Sequence, residues 1–90
     1  MIEGGTHVDI EVAILDLRTE LLRAMERFPT WNSAHECYGK IAEEFRELED
    51  HVFCKEANRD LPKMRKEAIQ LACTALRFAI ELCTEERGRR

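Results

Sequence analysis

Ninety residues with 18 acidic and 14 basic side chains, a formal net charge of −4, leave room for one small acidic domain and no second core. The acidic balance excludes general nucleic-acid binding, which needs clustered cations to displace counterions. No apolar run approaches the roughly 20 residues that span a bilayer.

The start, Met1-Ile-Glu-Gly-Gly-Thr-His, lacks the basic opening and apolar stretch of a signal peptide, so a cytoplasmic location is expected. Residues 1–8 read as a flexible N-terminus, and the basic tail at residues 86–90, with Arg87-Gly88-Arg89-Arg90, as a solvated, frayed end. Charged residues make up 36% of the chain while glycines number four and prolines two, a balance that suits helices with charged outer faces. Cys37, Cys54, Cys73 and Cys83 form no CxxC pair and no zinc-site spacing, so they read as buried free thiols, with a disulfide or metal role as the alternative.

The first helix is predicted from about Asp9 to Arg27. Its apolar positions Ile10, Ile14, Leu17, Leu21, Ala24 and Phe28 alternate by four and three. Thr6 and Asp9 are both acceptable caps, and Pro29 ends the helix by pushing the residue before it out of helical geometry.

The second helix is predicted to begin at Ser33, where Ser33-Ala34-His35-Glu36 reads as a capping box. The serine oxygen would accept from the Glu36 amide, and the Glu36 carboxylate would reach back to the serine amide. Its apolar seam is Ala34, Tyr38, Ile41, Phe45, Leu48 and Val52. Asn58-Arg59-Asp60 breaks the pattern, and Leu61-Pro62 restarts it with Asp60 as cap.

The third helix, roughly Leu61 to Glu85, carries two adjacent apolar stripes. One is Ile69, Ala72, Leu76, Ala79 and Cys83; the other is Ala68, Leu71, Ala75, Phe78 and Leu82. So wide an arc needs covering on more than one side, which two partner helices do not supply, so a homodimer or homotetramer is expected. What remains polar on the inner half is a narrow stripe of Glu67, Gln70, Thr74, Arg77 and Glu81. The expected fold is all-α: a three-helix chain with an antiparallel hairpin, assembled into a dimeric or higher helical bundle.

On a wheel of about 100° per residue, Glu44 falls about 60° from the seam centre at Ile41, and Glu47 about 120° away on the same side. Folding the chain about the short break brings Glu47 level with Gln70, Glu44 level with Thr74, and Glu67 level with His51. Three carboxylates and an amide thereby meet in one region. Clustered carboxylates repel unless something positive joins them, and hard oxygen donors from two helices suit a magnesium ion. The same glutamates also suit a solvated outer face, and spacing alone does not decide between the two readings.

The stretch from Trp31 to Leu48, with His35-Glu-Cys-Tyr-Gly and Glu43-Glu-Phe-Arg-Glu-Leu, is followed by Arg65-Lys-Glu-Ala-Ile-Gln-Leu-Ala-Cys-Thr-Ala-Leu-Arg-Phe. Together they resemble a phage and bacterial branch of the MazG-like nucleoside triphosphate pyrophosphohydrolases, over about Trp31 to Leu82. The resemblance implies magnesium-dependent hydrolysis of a nucleoside triphosphate to monophosphate and pyrophosphate. Water would attack a phosphorus of the triphosphate chain, with stabilisation mainly electrostatic. It implies that Glu44 and Glu47 match the family's first ExxE pair and Glu67 opens its second motif, making these three both metal ligands and the catalytic set.

Gln70 stands where the wider family has aspartate; as a neutral oxygen donor it would hold the cation less tightly. Arg46, where this branch often has an acid, lowers the negative potential further. Lys63, Lys66 and Arg77 are candidate phosphate contacts, with an ion pair to Glu47 or Glu81 as the alternative for these cations. Trp31 and Tyr38 fit packing as well as base stacking. A second reading is a catalytically silent helical oligomer serving as an interaction, regulatory or nucleotide-sensing module.

Overall fold

Helix boundaries follow the local capping chemistry. In the computed structural model, which describes residues 6–87, α1 spans Thr6–Arg27, α2 Ala34–Val52 and α3 Leu61–Leu82. A single 3₁₀ turn, Glu56–Asn58, lies between the last two. The α1 helix thus includes residues 6–8, which the sequence assigned to a flexible start; residues 1–5 and 88–90 lie outside the described residues.

Ser33 caps α2 as expected, its side chain accepting from the Glu36 amide at 3.1 Å. The return bond differs. Ser33 is extended, and the Glu36 carboxylate meets the amide of Asn32 at 2.9 Å rather than that of Ser33. Asp60 caps α3 by accepting from the Lys63 amide at 3.1 Å. Across the break, the Arg59 guanidinium donates to the Val52 carbonyl at 2.7 and 3.1 Å, satisfying an orphan acceptor at the end of α2.

The central element is α3. Both α1 and α2 pack on it and scarcely on each other. The α2–α3 pair is the expected antiparallel hairpin: the Cys37 thiol donates to the Thr74 carbonyl, and the Thr74 hydroxyl to Glu44. By contrast α1 runs parallel to α3. Asp16, midway along α1, pairs with Arg65 near the start of α3, while Ala24 and Arg77, each further along its helix, line one cleft. No described helix is long and apolar enough to cross a membrane.

Burial departs from the expected seams. In α1, Leu17, Leu21 and Ala24 are half-buried, but Ile10, Ile14 and Phe28 are exposed. In α2, Ile41, Leu48 and Val52 are half-buried, Tyr38 and Phe45 are exposed, and the buried residues are Cys37 and Glu44. The most buried face of α3 is its polar stripe, with Thr74, Arg77 and Glu81 all inside, while Ala68, Ala72, Ala75, Ala79 and Cys83 face outward. The arc of each helix is as wide as its sequence implies, but α3 turns its polar edge inward, between its neighbours.

Candidate functional site

Two adjoining features occupy the side of the layer where α3 presents its polar stripe. The first is a carboxylate edge. Glu44 on α2 is buried, with one carboxylate oxygen accepting from the Thr74 hydroxyl. Burial raises its carboxyl above the ordinary range, and the Thr74 hydrogen bond opposes that shift. One turn on, Glu67 of α3 lies near the exposed Glu47, and side-chain hydrogen bonding and charge from that second carboxylate raise the Glu47 carboxyl above the ordinary range. Glu67 also bears on Glu44 through its charge. Its second oxygen, Oε2, is buried and has no hydrogen-bond partner.

The second feature is a cleft of about 500 Å³ between the three helices and the loop after α1. Its walls combine the aromatic rings of Phe28 and Trp31 with Lys40, Glu44, Gln70 and Arg77. That size and that mixture of apolar wall with a few polar groups suit a small-molecule site. Glu44 and Gln70 belong to the cleft wall and to the carboxylate edge alike, so the two features form one continuous site.

A buried polar knot holds the loop in place. Arg77 donates to both Glu81 oxygens, at 2.6 and 3.1 Å, and to the Pro29 carbonyl at 3.0 Å. Its guanidinium lies 5.3 Å from the centre of the Trp31 ring, a cation–π distance. The Trp31 amide donates to Glu81 at 3.0 Å, and Arg87 donates to the carbonyls of Trp31 and Glu81. The described part of the basic tail is thus docked on α3 rather than frayed. The Trp31 indole Nε1 is buried without a partner beside the cleft.

The sequence-assigned residues fall into three groups. Glu67 acts on Glu44 and on Glu47 through its charge, and Gln70 shares the cleft wall with Glu44, but among the described residues the three carboxylates do not close into a cation-holding group. Arg77 reaches the cleft, but its guanidinium is engaged by Glu81, the alternative left open by the sequence. Lys63 and Lys66 are exposed near the start of α3, outside the cleft wall; Lys66 borders a shallow groove with Arg23 and Arg65 instead.

Lys40 is the cation the sequence reading passed over. It lines the cleft and bonds Glu43 at 2.9 Å, and this bond raises its ammonium pKa. Its position four residues before Glu44 places it on the same edge of α2, which is the signal that would have found it.

All four cysteines are free, with Cys37 and Cys73 buried and Cys54 and Cys83 exposed. Burial pushes the Cys37 thiol up to about 11, so it is a packed, unreactive group rather than a nucleophile.

Among the described residues, no three His, Cys, Asp or Glu side chains already converge as a cation cage. The donor chemistry nevertheless fits a hard cation. Carboxylates from two helices sense one another's charge, and a buried carboxylate oxygen lacks any donor. No protein-family model, curated protein or solved structure matches this chain.

Proposed function

We propose that this chain is a MazG-like, magnesium-dependent nucleoside triphosphate pyrophosphohydrolase of low turnover. The observation that carries the reading is the continuity of the carboxylate edge with the aromatic-walled cleft through Glu44 and Gln70. Glu44, Glu47 and Glu67 would hold magnesium, with the Gln70 amide oxygen in support. The ion would supply neutralisation of phosphate charge and acidify a bound water.

The remaining roles belong to the protein. Lys40 and Arg77 bring positive charge to the cleft for phosphate oxygens, and Phe28 and Trp31 give the organic part of the nucleotide a wall to lie against. The unpartnered Trp31 Nε1 is a donor available to an acceptor on that ligand. Lys63 and Lys66, on the exposed first turns of α3, would act on phosphates only from outside the cleft.

Incubation with each nucleoside triphosphate and magnesium should release pyrophosphate. Glu44→Gln and Glu67→Gln should each abolish that release while leaving helicity unchanged. Undiminished turnover in either variant removes that residue from the set.

Gln70 favours a second reading, in which the oligomer senses nucleotide, or serves as an interaction or regulatory module, without hydrolysis. The site then holds three carboxylates instead of four, and Glu67 raises the Glu47 carboxyl, which opposes the ionised form that a cation needs. Magnesium-dependent nucleotide binding with no pyrophosphate released would select the sensing form.

A further inference from the structure

The loop between α1 and α2 forms one wall of the cleft with five consecutive residues, Phe28 to Asn32. It lies outside the helices, so its shape depends on bonds made to it by other parts of the chain. Two of these involve α3: Arg77 donates to the Pro29 carbonyl, and Glu81 accepts from the Trp31 amide. Another comes from beyond that helix, where the Arg87 guanidinium donates to the Trp31 carbonyl.

The position of Arg87 is itself built. The α3 helix ends at Leu82, and the chain folds back through a turn in which the Thr84 hydroxyl accepts from the Arg87 amide at 3.1 Å. One arm of the guanidinium then donates at 2.9 Å to the Glu81 carbonyl, an acceptor left open at the end of α3. The other arm reaches Trp31. A planar fork with donors in fixed geometry suits such a bridge, whereas a lysine ammonium is a single point charge. Arg87 itself lies outside the cleft wall.

What the bridge fixes is the indole. The ring stands 5.3 Å from the Arg77 guanidinium, and its Nε1 is buried without a partner beside the cleft. With its carbonyl held by Arg87 and its amide by Glu81, Trp31 is set in place as a wall before any ligand arrives.

We infer that Arg87 is a positioning residue for the cleft, holding the Trp31 indole to receive a planar heterocycle that offers Nε1 an acceptor. Releasing the Trp31 carbonyl leaves the loop to be ordered by the ligand, which weakens binding without altering the helices. By reciprocity, a ring in the cleft steadies the docked tail to the same degree. The inference rests on the organic end of the nucleotide reading, and on neither its metal nor its hydrolysis.

Trp31 is the one tryptophan of the chain, so its fluorescence reads the wall directly. Acrylamide should quench it more steeply in Arg87→Ala than in the parent, with far-UV helicity unchanged, and Arg87→Lys should fall between them. Adenosine, guanosine, cytidine and uridine, titrated without metal, are the ring probes. At least one should change the parent's fluorescence on binding. Arg87→Ala should bind that nucleoside roughly five- to tenfold more weakly, the penalty for ordering one large side chain. Arg59→Ala is the control. Its guanidinium bridges to the Val52 carbonyl at the α2–α3 break, away from the cleft, and its loss should change neither readout.

A parent that binds none of the four nucleosides, or an Arg87→Ala protein that matches the parent in quenching and affinity, overturns the inference. Should Arg87→Ala not fold, Arg87→Lys decides, since it must bind the nucleoside more weakly than the parent. Nucleoside binding that depends on Arg87, with no pyrophosphate released from any triphosphate, sinks the hydrolytic reading and leaves this one standing.

Discussion

Replacing Arg77 by methionine isolates the knot that shapes the cleft. The Arg77–Glu81 pair is buried on both sides, with side-chain exposures of 5% and 3% and a contact of 2.6 Å. Methionine keeps much of the aliphatic stem but removes the charge, the Pro29 contact and the cation–π contact with Trp31. Glu81 is then left buried with the Trp31 amide as its remaining donor within the knot.

Removing one partner of a buried ion pair costs about 3–5 kcal/mol. For a domain of this size each kcal/mol moves the melting point by about 4–8 °C, so at neutral pH the variant should melt at least 12 °C below the parent. Both proteins must be compared at one concentration, since association shifts the apparent stability. Arg77→Met combined with Glu81→Gln should melt above the single variant, because the amide oxygen still accepts from Trp31 without a charge. Trp31 fluorescence, followed through the same melts, reports release of the loop. If Arg77→Met melts within a few degrees of the parent at pH 7, or the double variant melts no higher than the single one, the knot does not hold the cleft.

The carboxylate edge yields two further tests. Gln70→Asp adds a fourth carboxylate, so without metal it should melt slightly below the parent, and with millimolar magnesium it should gain more than the parent gains. An equal gain in both proteins would show that Gln70 does not face a cation. Glu44 and Glu47 both have raised carboxyl pKa values, so their contribution to stability is present at acidic pH and is lost as pH rises toward neutrality. In metal-free buffer, Glu47→Gln should therefore be more stable than the parent at pH 7 and should lose that advantage below pH 5, as differential scanning fluorimetry would read. A variant less stable than the parent at pH 7 would refute the raised Glu47 carboxyl.

The parts of the fold written in local chemistry were legible in the chain. Pro29, Ser33 and Asp60 marked the breaks because each acts on its own backbone within a turn. The α2–α3 register was legible for a related reason: a short break favours one antiparallel alignment, and it put Thr74 level with Glu44, as the fold has it, but Glu67 level with His51, one turn from the Glu47 that it influences. What periodicity does not specify is which part of a wide apolar arc is covered by its own chain. Ile14 and Phe45 sit on the expected seams and are exposed, because α1 and α2 each pack on α3 and scarcely on each other, which leaves those edges uncovered by this chain. The knot was hidden for another reason. Arg77 to Glu81 is a one-turn spacing open to inspection, but the contacts to Pro29 and Trp31 span 48 and 50 residues, and only the tertiary fold makes them.

Burying the polar stripe of α3 while its alanines face outward reverses the usual economy of a helix, and hydrogen bonding is what makes it tolerable. A buried charge or hydroxyl is destabilising unless its partners are supplied. Arg77, Glu81 and the Trp31 amide supply one another, as do Thr74 and Glu44. Two buried polar atoms among the described residues remain outside this account, Glu67 Oε2 and Trp31 Nε1. One is an acceptor at the carboxylate edge and the other a donor at the cleft wall, so bound water would satisfy either, and the proposed cation and an acceptor on the proposed nucleotide would each meet one of them.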